Sequence, residues 1–354
     1  MKKYFMVFPA DNFSLGTSSL SPKNTAKSLT QEQFPLFGQL DQDLQLIEEE
    51  INKNLQSSVP LIALVSRYII RSGGKRLRPL LMVLAARLLN YKGDDQYALS
   101  IVFEYLHAAT LLHDDVVDNA ELRRGQPSAN TLWGNAAVVL VGDFLLATSF
   151  FLSVLSGNLK ILRVLSETTT SMAEGEVLQL INSGNLEVSE QDYIEVITRK
   201  TAILISAACQ IGAILGDASE EREEAMRRFG LNLGIAFQLR DDFLDYTGSE
   251  AEFGKPVGKD LQEGKITLPL IRALKSSDNK DRHRLVDLIT SDSIQEETFA
   301  EVKQIIKRYE GLDYTDQLAS HYITEAKSAL AIFPPSPTRE SLLEIADYVV
   351  ARRT

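Results

Sequence analysis

The chain has 354 residues, of which 44% are hydrophobic and 24% charged, with a formal net charge of −11. That composition belongs to a globular protein rather than a disordered one, and the acidic balance excludes a general nucleic-acid binder, so any basic cluster needs a local purpose. The single cysteine, Cys209, sits in the apolar stretch AACQIGAIL, which excludes a disulfide framework and a thiolate metal site and points to a reducing compartment, the cytoplasm.

The chain opens MKKYFMVFPA, two lysines before an apolar patch too short for a signal-peptide core. Residues 1–38, rich in Ser, Thr, Asn, Gln and Pro, read as a poorly ordered extension, and residues 39–354 as one all-α domain. From there on apolar residues recur every three or four positions and strand-like alternation is hard to find, which predicts about a dozen helices around one large core.

The first chemical cluster is RSGGKRLRP (71–79), which supplies Arg71, Lys75, Arg76 and Arg78. Gly73 and Gly74 permit close backbone approach ahead of a helix. The spacing is not that of a Walker A loop and no strand precedes it. Next comes LLHDDVVD (111–118), three carboxylates within an apolar run. Asp114 and Asp118 are one helical turn apart on one face, with Asp115 about 100° round. ELRRG (121–125) then sets Arg123 and Arg124 just past the acids.

AAVVLVGDFLLATSFFLSVLS (136–156) is long and apolar enough to span a membrane, but Asp143 near its middle is costly there, and a helix buried on all sides in the core is the expectation. Helix starts are marked at Ser189 with Asp192, Asp217 with Glu220, Ser293 with Glu296, and Ser336 before Pro337. Arg199, Lys200 and Thr201 interrupt an otherwise apolar helix. QLRDDFLDY then repeats the acidic device at Asp241, Asp242 and Asp245, 127 residues after the first copy. The long glycine-bearing stretch 247–265, with Lys255, Lys259 and Lys265, is expected to be functional, because so long a loop is uncommon in a compact helical domain. Leu342, Ile345, Ala346 and Val349 form a closing helical stripe.

Each acidic or basic patch alone reads equally well as a solvated surface. Two DDxxD copies on separate helices, each beside arginines or lysines, read better as a joint device. Carboxylates with open positions suit Mg2+, which keeps waters and bridges to substrate phosphates. Guanidinium and ammonium groups suit phosphate oxygens. The four histidines lack zinc spacing. The residues therefore point to diphosphate chemistry.

GGKRLRP, LLHDDVVDNAELRRG, RKTA, FQLRDDFLDYTG and GKPVGKDLQEGKITLPLI occur in the order found in trans-prenyl diphosphate synthases (polyprenyl synthetases). The chain resembles that family from about residue 40 onward, and within it the bacterial long-chain octaprenyl or solanesyl branch. The resemblance implies the all-α isoprenoid synthase fold, a single large helical bundle around a deep central pocket, acting as a homodimer. It implies condensation of isopentenyl diphosphate with an allylic diphosphate, farnesyl or geranylgeranyl, to an octaprenyl-to-decaprenyl product for quinone side chains. Asp114 and Asp118 would hold Mg2+ with Asp115 assisting; Asp241 would hold a third ion, supported by Asp242 and Asp245. Arg123, Lys200, Lys255 and Lys265 would grip the allylic diphosphate, and Lys75, Arg78, His107 and Arg124 isopentenyl diphosphate. Thr201 and Gln238 would line the reacting carbons.

The small residues Ala109 and Thr110, one turn before Asp114, stand where short-chain relatives place an aromatic floor. They imply a long product, with Phe150 or Phe151 as a deeper floor. Loose membrane association for product release fits an insoluble product, without a dedicated anchor. The alternatives are a shorter-chain (farnesyl or geranylgeranyl) diphosphate synthase, a terpene cyclase of related fold, and a non-catalytic subunit of a heteromeric synthase. The second DDxxD and the GGKRLRP cluster argue against the cyclase, and the intact acidic motifs against the subunit.

Overall fold

A computed structural model describes residues 37–247, 258–291 and 295–352. Lys255, Ser293 and most of the N-terminal extension therefore lie outside the described residues, as does most of the stretch 247–265. Among the described residues there are sixteen α-helices and one minimal hairpin. In chain order they are α1 (Phe37–Asn54), α2 (Pro60–Arg71), α3 (Leu77–Leu88), α4 (Asp95–Val117), α5 (Ala129–Trp133), α6 (Asn135–Leu155), α7 (Leu159–Asn182) and α8 (Glu190–Ile197). There follow a π turn (Thr198–Ala202), α9 (Ile203–Leu215), α10 (Glu220–Thr247), α11 (Lys259–Gln262), α12 (Leu268–Ser276), α13 (Asn279–Ile289), α14 (Glu296–Arg308), α15 (Gly311–Ala329), a 3₁₀ turn (Leu330–Ile332) and α16 (Pro337–Ala351).

The helix starts follow local chemistry. Ser189 and Asp192 form a reciprocal capping box at α8, and the Ser336 hydroxyl accepts from the Arg339 N–H ahead of α16. At α10 the expected cap is displaced. Asp217 lies in the left-handed region at φ 52°, and it is the Ser219 carbonyl and hydroxyl that receive the N–H groups of Glu223 and Arg222. The closing stripe behaves as its spacing predicts: Leu342, Ile345, Ala346 and Val349 are all fully buried.

The core has one large apolar cluster uniting α1–α4, α6, α9, α10, α15 and α16. A second joins α8, α10 and α12–α15, and a third lies between α3, α4, α7 and α9. The long helices α4 and α10, which carry the acidic motifs, run through this core: α4 packs along α6 and α3, and α10 along α9 and α15. Burial along nearly their whole length fixes their rotation, and so fixes which way the terminal carboxylates face.

Helix α6 departs from expectation. It is not buried on all sides: Val138, Val141, Gly142 and Leu145 face α4, whereas Leu140, Phe151, Val154 and Leu155 are more than half exposed. α6 is long and apolar enough to cross a membrane, yet only a third of its most apolar window is covered. Apolar residues all round a helix predict burial, but periodicity cannot say whether the cover comes from the same chain. Phe151 is 62% exposed, whereas Phe150 packs partly buried against the cluster between α3, α4, α7 and α9.

Candidate active site

The first acidic motif sits at the C-terminal end of α4. Asp118 is the C-cap residue, and its N–H returns to the Asp114 carbonyl. Asp114 approaches Lys200 Nζ at 3.9 Å and Asp118 approaches Lys265 Nζ at 3.8 Å, both looser than a direct ion pair. Each lysine has a closer acidic partner: Glu176 at 2.8 Å from Lys200, and Glu263 at 2.6 Å from Lys265. Desolvation, beside Glu176 and Asp118, raises the Asp114 carboxyl to about 6 even though Lys200 opposes the shift. Lys265 is shifted upward: Asp260, Glu263 and Asp118 outweigh the desolvation that would lower it.

Asp115 is turned inward, away from solvent. Its side chain is fully buried, and Arg123 donates to Oδ1 from Nε at 2.8 Å and from Nη2 at 2.6 Å. The Arg123 guanidinium is thus drawn toward this carboxylate. The arrangement follows from a two-residue turn after α4. Leu122 pairs with Pro127 and Arg123 with Gln126, closed by Arg124 and Gly125 at φ 52° and 74°. Two successive positive φ values define the turn that suits the right-handed twist of a hairpin. It sends Arg123 back under α4 and carries Arg124 outward.

The second motif lies near the end of α10. Asp242 is buried, and both its oxygens are taken, by Tyr193 Oη at 2.5 Å and Gln238 Nε2 at 2.8 Å. Burial and the neighbouring Asp260 raise its carboxyl well above the usual range. Both Asp242 oxygens are thus already engaged within the protein. Asp245 accepts from the Asp260 N–H at 3.3 Å and is pushed up to about 7 by desolvation and the Asp260 charge. Asp241 is the open member, its side chain 44% exposed, and it meets Arg352 Nη2 at 2.6 Å. Arg352 also donates to the Phe237 carbonyl and stacks over the Phe237 ring.

Lys200 and Thr201 reach the site because the helix slips register there, in the π turn Thr198–Ala202. Two glycines make room for it. A Cβ on Gly175 of α7 would lie 2.8 Å from the Lys200 nitrogen, and one on Gly234 of α10 would lie 2.5 Å from the Ala202 Cα. The Thr201 hydroxyl donates to Gln238 Oε1 at 3.0 Å, and Gln238 in turn donates to Asp242. Contacts therefore run from the first acidic motif through Lys200 and its neighbour Thr201 to the second. These two, with Gln238, Asp242 and Lys265, line a cavity of about 120 Å3.

Arg78, Arg124 and His107 form a second basic group. Arg78 and Arg124 both sense Glu104, both are shifted downward by desolvation, and the Arg124 guanidinium lies close to Gly73. The His107 imidazole is held well below its usual range by desolvation and by four arginines, so it is neutral and keeps one N–H to donate. Lys75 donates to Tyr348 Oη and lies 5.0 Å from that ring's centroid. Thr110, half-buried, spends its hydroxyl on the His107 carbonyl, and Ala109 is buried in the core. Lys259 pairs with Glu263 at 2.9 Å.

Asp114, Asp118 and Asp241 fit a divalent cation as hard, partly open oxygen donors that already have cationic neighbours. Among the described residues no three acidic or imidazole groups stand close enough to enclose an ion. Such donors suit an ion whose coordination is completed by water and substrate oxygens. Sequence reasoning did not single out Glu104, Glu176, Tyr193, Tyr348 or Arg352. Glu104, a lone acid in the apolar run VFEYLHAAT, was the one visible locally.

Known proteins resemble this chain in sequence and fold. The polyprenyl synthetase family matches residues 59–307. Octaprenyl diphosphate synthase of Haemophilus influenzae is 41% identical over 312 residues, 88% of this chain and 94% of its own. Among solved structures, a polyprenyl synthase of Caulobacter crescentus CB15, complexed with calcium and isoprenyl diphosphate, superposes with a TM-score of 0.84 at 42% identity, over 90% of this chain and 97% of its own. A decaprenyl diphosphate synthase of Rhodobacter capsulatus gives 0.85 at 41%, over 90% and 99%. With a family match over most of the chain and relatives of the same fold at about 40% identity, the chain belongs to the polyprenyl synthetase family, the prenyltransferases of all-α isoprenoid synthase fold.

Proposed function

We propose that the protein extends an allylic diphosphate with isopentenyl diphosphate to a long all-trans polyprenyl diphosphate, in the octaprenyl-to-decaprenyl range, for quinone side chains. One observation carries this reading above the rest. The acidic motifs are bordered by two separate cationic groups, Lys200 with Lys265 and Arg78 with Arg124, as two different diphosphates require. The octaprenyl and decaprenyl relatives at about 40% identity support the long product.

Asp114, Asp118 and Asp241 would hold Mg2+, three ions per site, which supplies charge neutralisation for the departing diphosphate. Lys200 and Lys265 hold the allylic diphosphate and stabilise the charge that grows on it as its C–O bond breaks. Arg78, Arg124, Lys75 and neutral His107 hold isopentenyl diphosphate, whose double bond attacks the allylic cation. The proton then lost goes to the released diphosphate. Thr201 and Gln238 present oxygen dipoles beside the reacting carbons, and the surrounding apolar helices exclude water. The protein's part is positioning and electrostatics.

The uncovered apolar faces of α6 and α7, with Leu140, Phe151, Val154, Leu155, Val177 and Leu180 more than half exposed, favour a second copy of the chain as their cover. We read the working unit as a cytoplasmic homodimer that meets membranes only for product release. The test is to incubate the protein with Mg2+, isopentenyl diphosphate and farnesyl diphosphate and size the dephosphorylated products by mass. A ladder ending at eight to ten isoprene units is expected from the named relatives. A stop at four units would keep the chemistry and refute the long product.

A further inference from the structure

Arg76 belongs to the GGKRLRP cluster, yet it has no part in the reading above, because it turns inward. Its side chain is 9% exposed, and it donates from Nε to Glu48 at 2.5 Å, from Nη1 to Glu104 at 2.5 Å and from Nη2 to the Ile70 carbonyl at 3.0 Å. Its backbone is left-handed, φ 50°, at the N-cap of α3, a strained state for a residue with a side chain. Glu104, also 9% exposed, lies on α4 one turn before His107. Its charge acts on Arg78 and Arg124 as well as on Arg76. Arg78 Nε is buried with no hydrogen-bond partner. A Cβ on Gly74 would come within 3.1 Å of the Arg76 guanidinium and 3.6 Å of the Glu104 carboxylate.

An acid beneath an anion-binding cluster works against the ligand unless it serves the geometry. A buried ion pair is also weak evidence for stability, since desolvation offsets most of its attraction. We propose that Glu104, acting through Arg76, is the positioning residue of the isopentenyl diphosphate half of the site: it pins the Gly73–Arg76 turn from below and offsets one of the crowded guanidinium charges, so that Arg78 and Arg124 are held in place before a diphosphate arrives. This inference rests on the function proposed above. It assigns the selectivity of that half-site to a carboxylate that touches no substrate.

The test is Glu104→Gln in the full chain, which keeps the shape and removes the charge. The KM for isopentenyl diphosphate rises about tenfold or more, while kcat and the KM for farnesyl diphosphate stay within about twofold. Inorganic diphosphate titrated calorimetrically binds the variant about tenfold more weakly. Arg76→Met gives the same split, and the double variant is no worse than the weaker single, as expected for one unit. An unchanged or lowered KM for isopentenyl diphosphate, or equal rises in both KM values, would overturn the proposal. Should Glu104→Gln fail to fold, Arg76→Lys carries the same readout. If the unaltered protein consumes no isopentenyl diphosphate, the proposed function fails, while the diphosphate titration still decides whether Glu104 organises the cluster.

Discussion

Replacing Arg123 with Met keeps most of the side-chain volume and removes the guanidinium that is drawn up to the Asp115 carboxylate. Asp115 is fully buried, and its Oδ2 already lacks a hydrogen-bond partner, so the substitution leaves a bare carboxylate in the core. Breaking a buried pair from one side costs about 3–5 kcal/mol, a large share of the roughly 5–15 kcal/mol that holds a folded domain. Urea unfolding followed through tryptophan fluorescence measures the loss. The sole tryptophan, Trp133, packs edge-on against Tyr68, whose hydroxyl donates to Pro127 in the hairpin beside Arg123. Adding Asp115→Asn to Arg123→Met returns about 1–3 kcal/mol, because an amide is far cheaper to leave buried than an ionised acid. A loss below about 1 kcal/mol, the range of an exposed pair, or no recovery in the double variant, would refute the structural role given to Arg123.

Thr110→Phe, one turn before Asp114 on the same face, shortens the product ladder, and Ala109→Phe shortens it while also destabilising the core by about 1–3 kcal/mol through overpacking; an unchanged ladder in both would mean that the growing chain runs elsewhere. The Asp114 carboxyl, one of those that would hold Mg2+, is raised to about 6, so protons compete with Mg2+, and affinity falls as pH drops from 8 to 6. In the metal-free protein the sign reverses. An acid whose folded value is raised loses stability for the fold as pH climbs from its ordinary range through the raised one. Calorimetry in two buffers reads the proton release on metal binding; equal affinity at both pH values would contradict it. Leu140→Glu together with Phe151→Glu converts a dimer to monomers in sedimentation analysis, and a protein already monomeric before substitution would remove the second-copy reading.

The helical character and the chemistry of the site were legible because both rest on local spacing. A carboxylate four residues from another faces the same way on any helix, and an arginine beside it is visible in one line of text. What stayed hidden depended on distance along the chain. Asp115 and Asp242 look identical to their neighbours in DDxxD, yet rotation of α4 and α10 against the core turns them inward, toward Arg123 and Tyr193. Arg352 and Tyr348 reach Asp241 and Lys75 from 111 and 273 residues away, and no spacing rule anticipates that. The uncovered face of α6 was missed because hydrophobicity reports a need for cover without naming its source.

From Glu190 to Leu215 the backbone runs as one rod, interrupted only by the π turn at Thr198–Ala202. Deleting a single residue there would restore an unbroken α-helix with better hydrogen bonds. It would also rotate everything on one side by about 100° relative to the other, so that the Lys200 ammonium and the Tyr193 hydroxyl could not both stay at their posts. A stretch of chain that would gain regularity from a one-residue loss keeps its surplus residue. Length in this segment is therefore a constraint on the site: substitutions that strengthen the helix are tolerable, whereas any change in residue count alters whether Lys200 still faces Asp114.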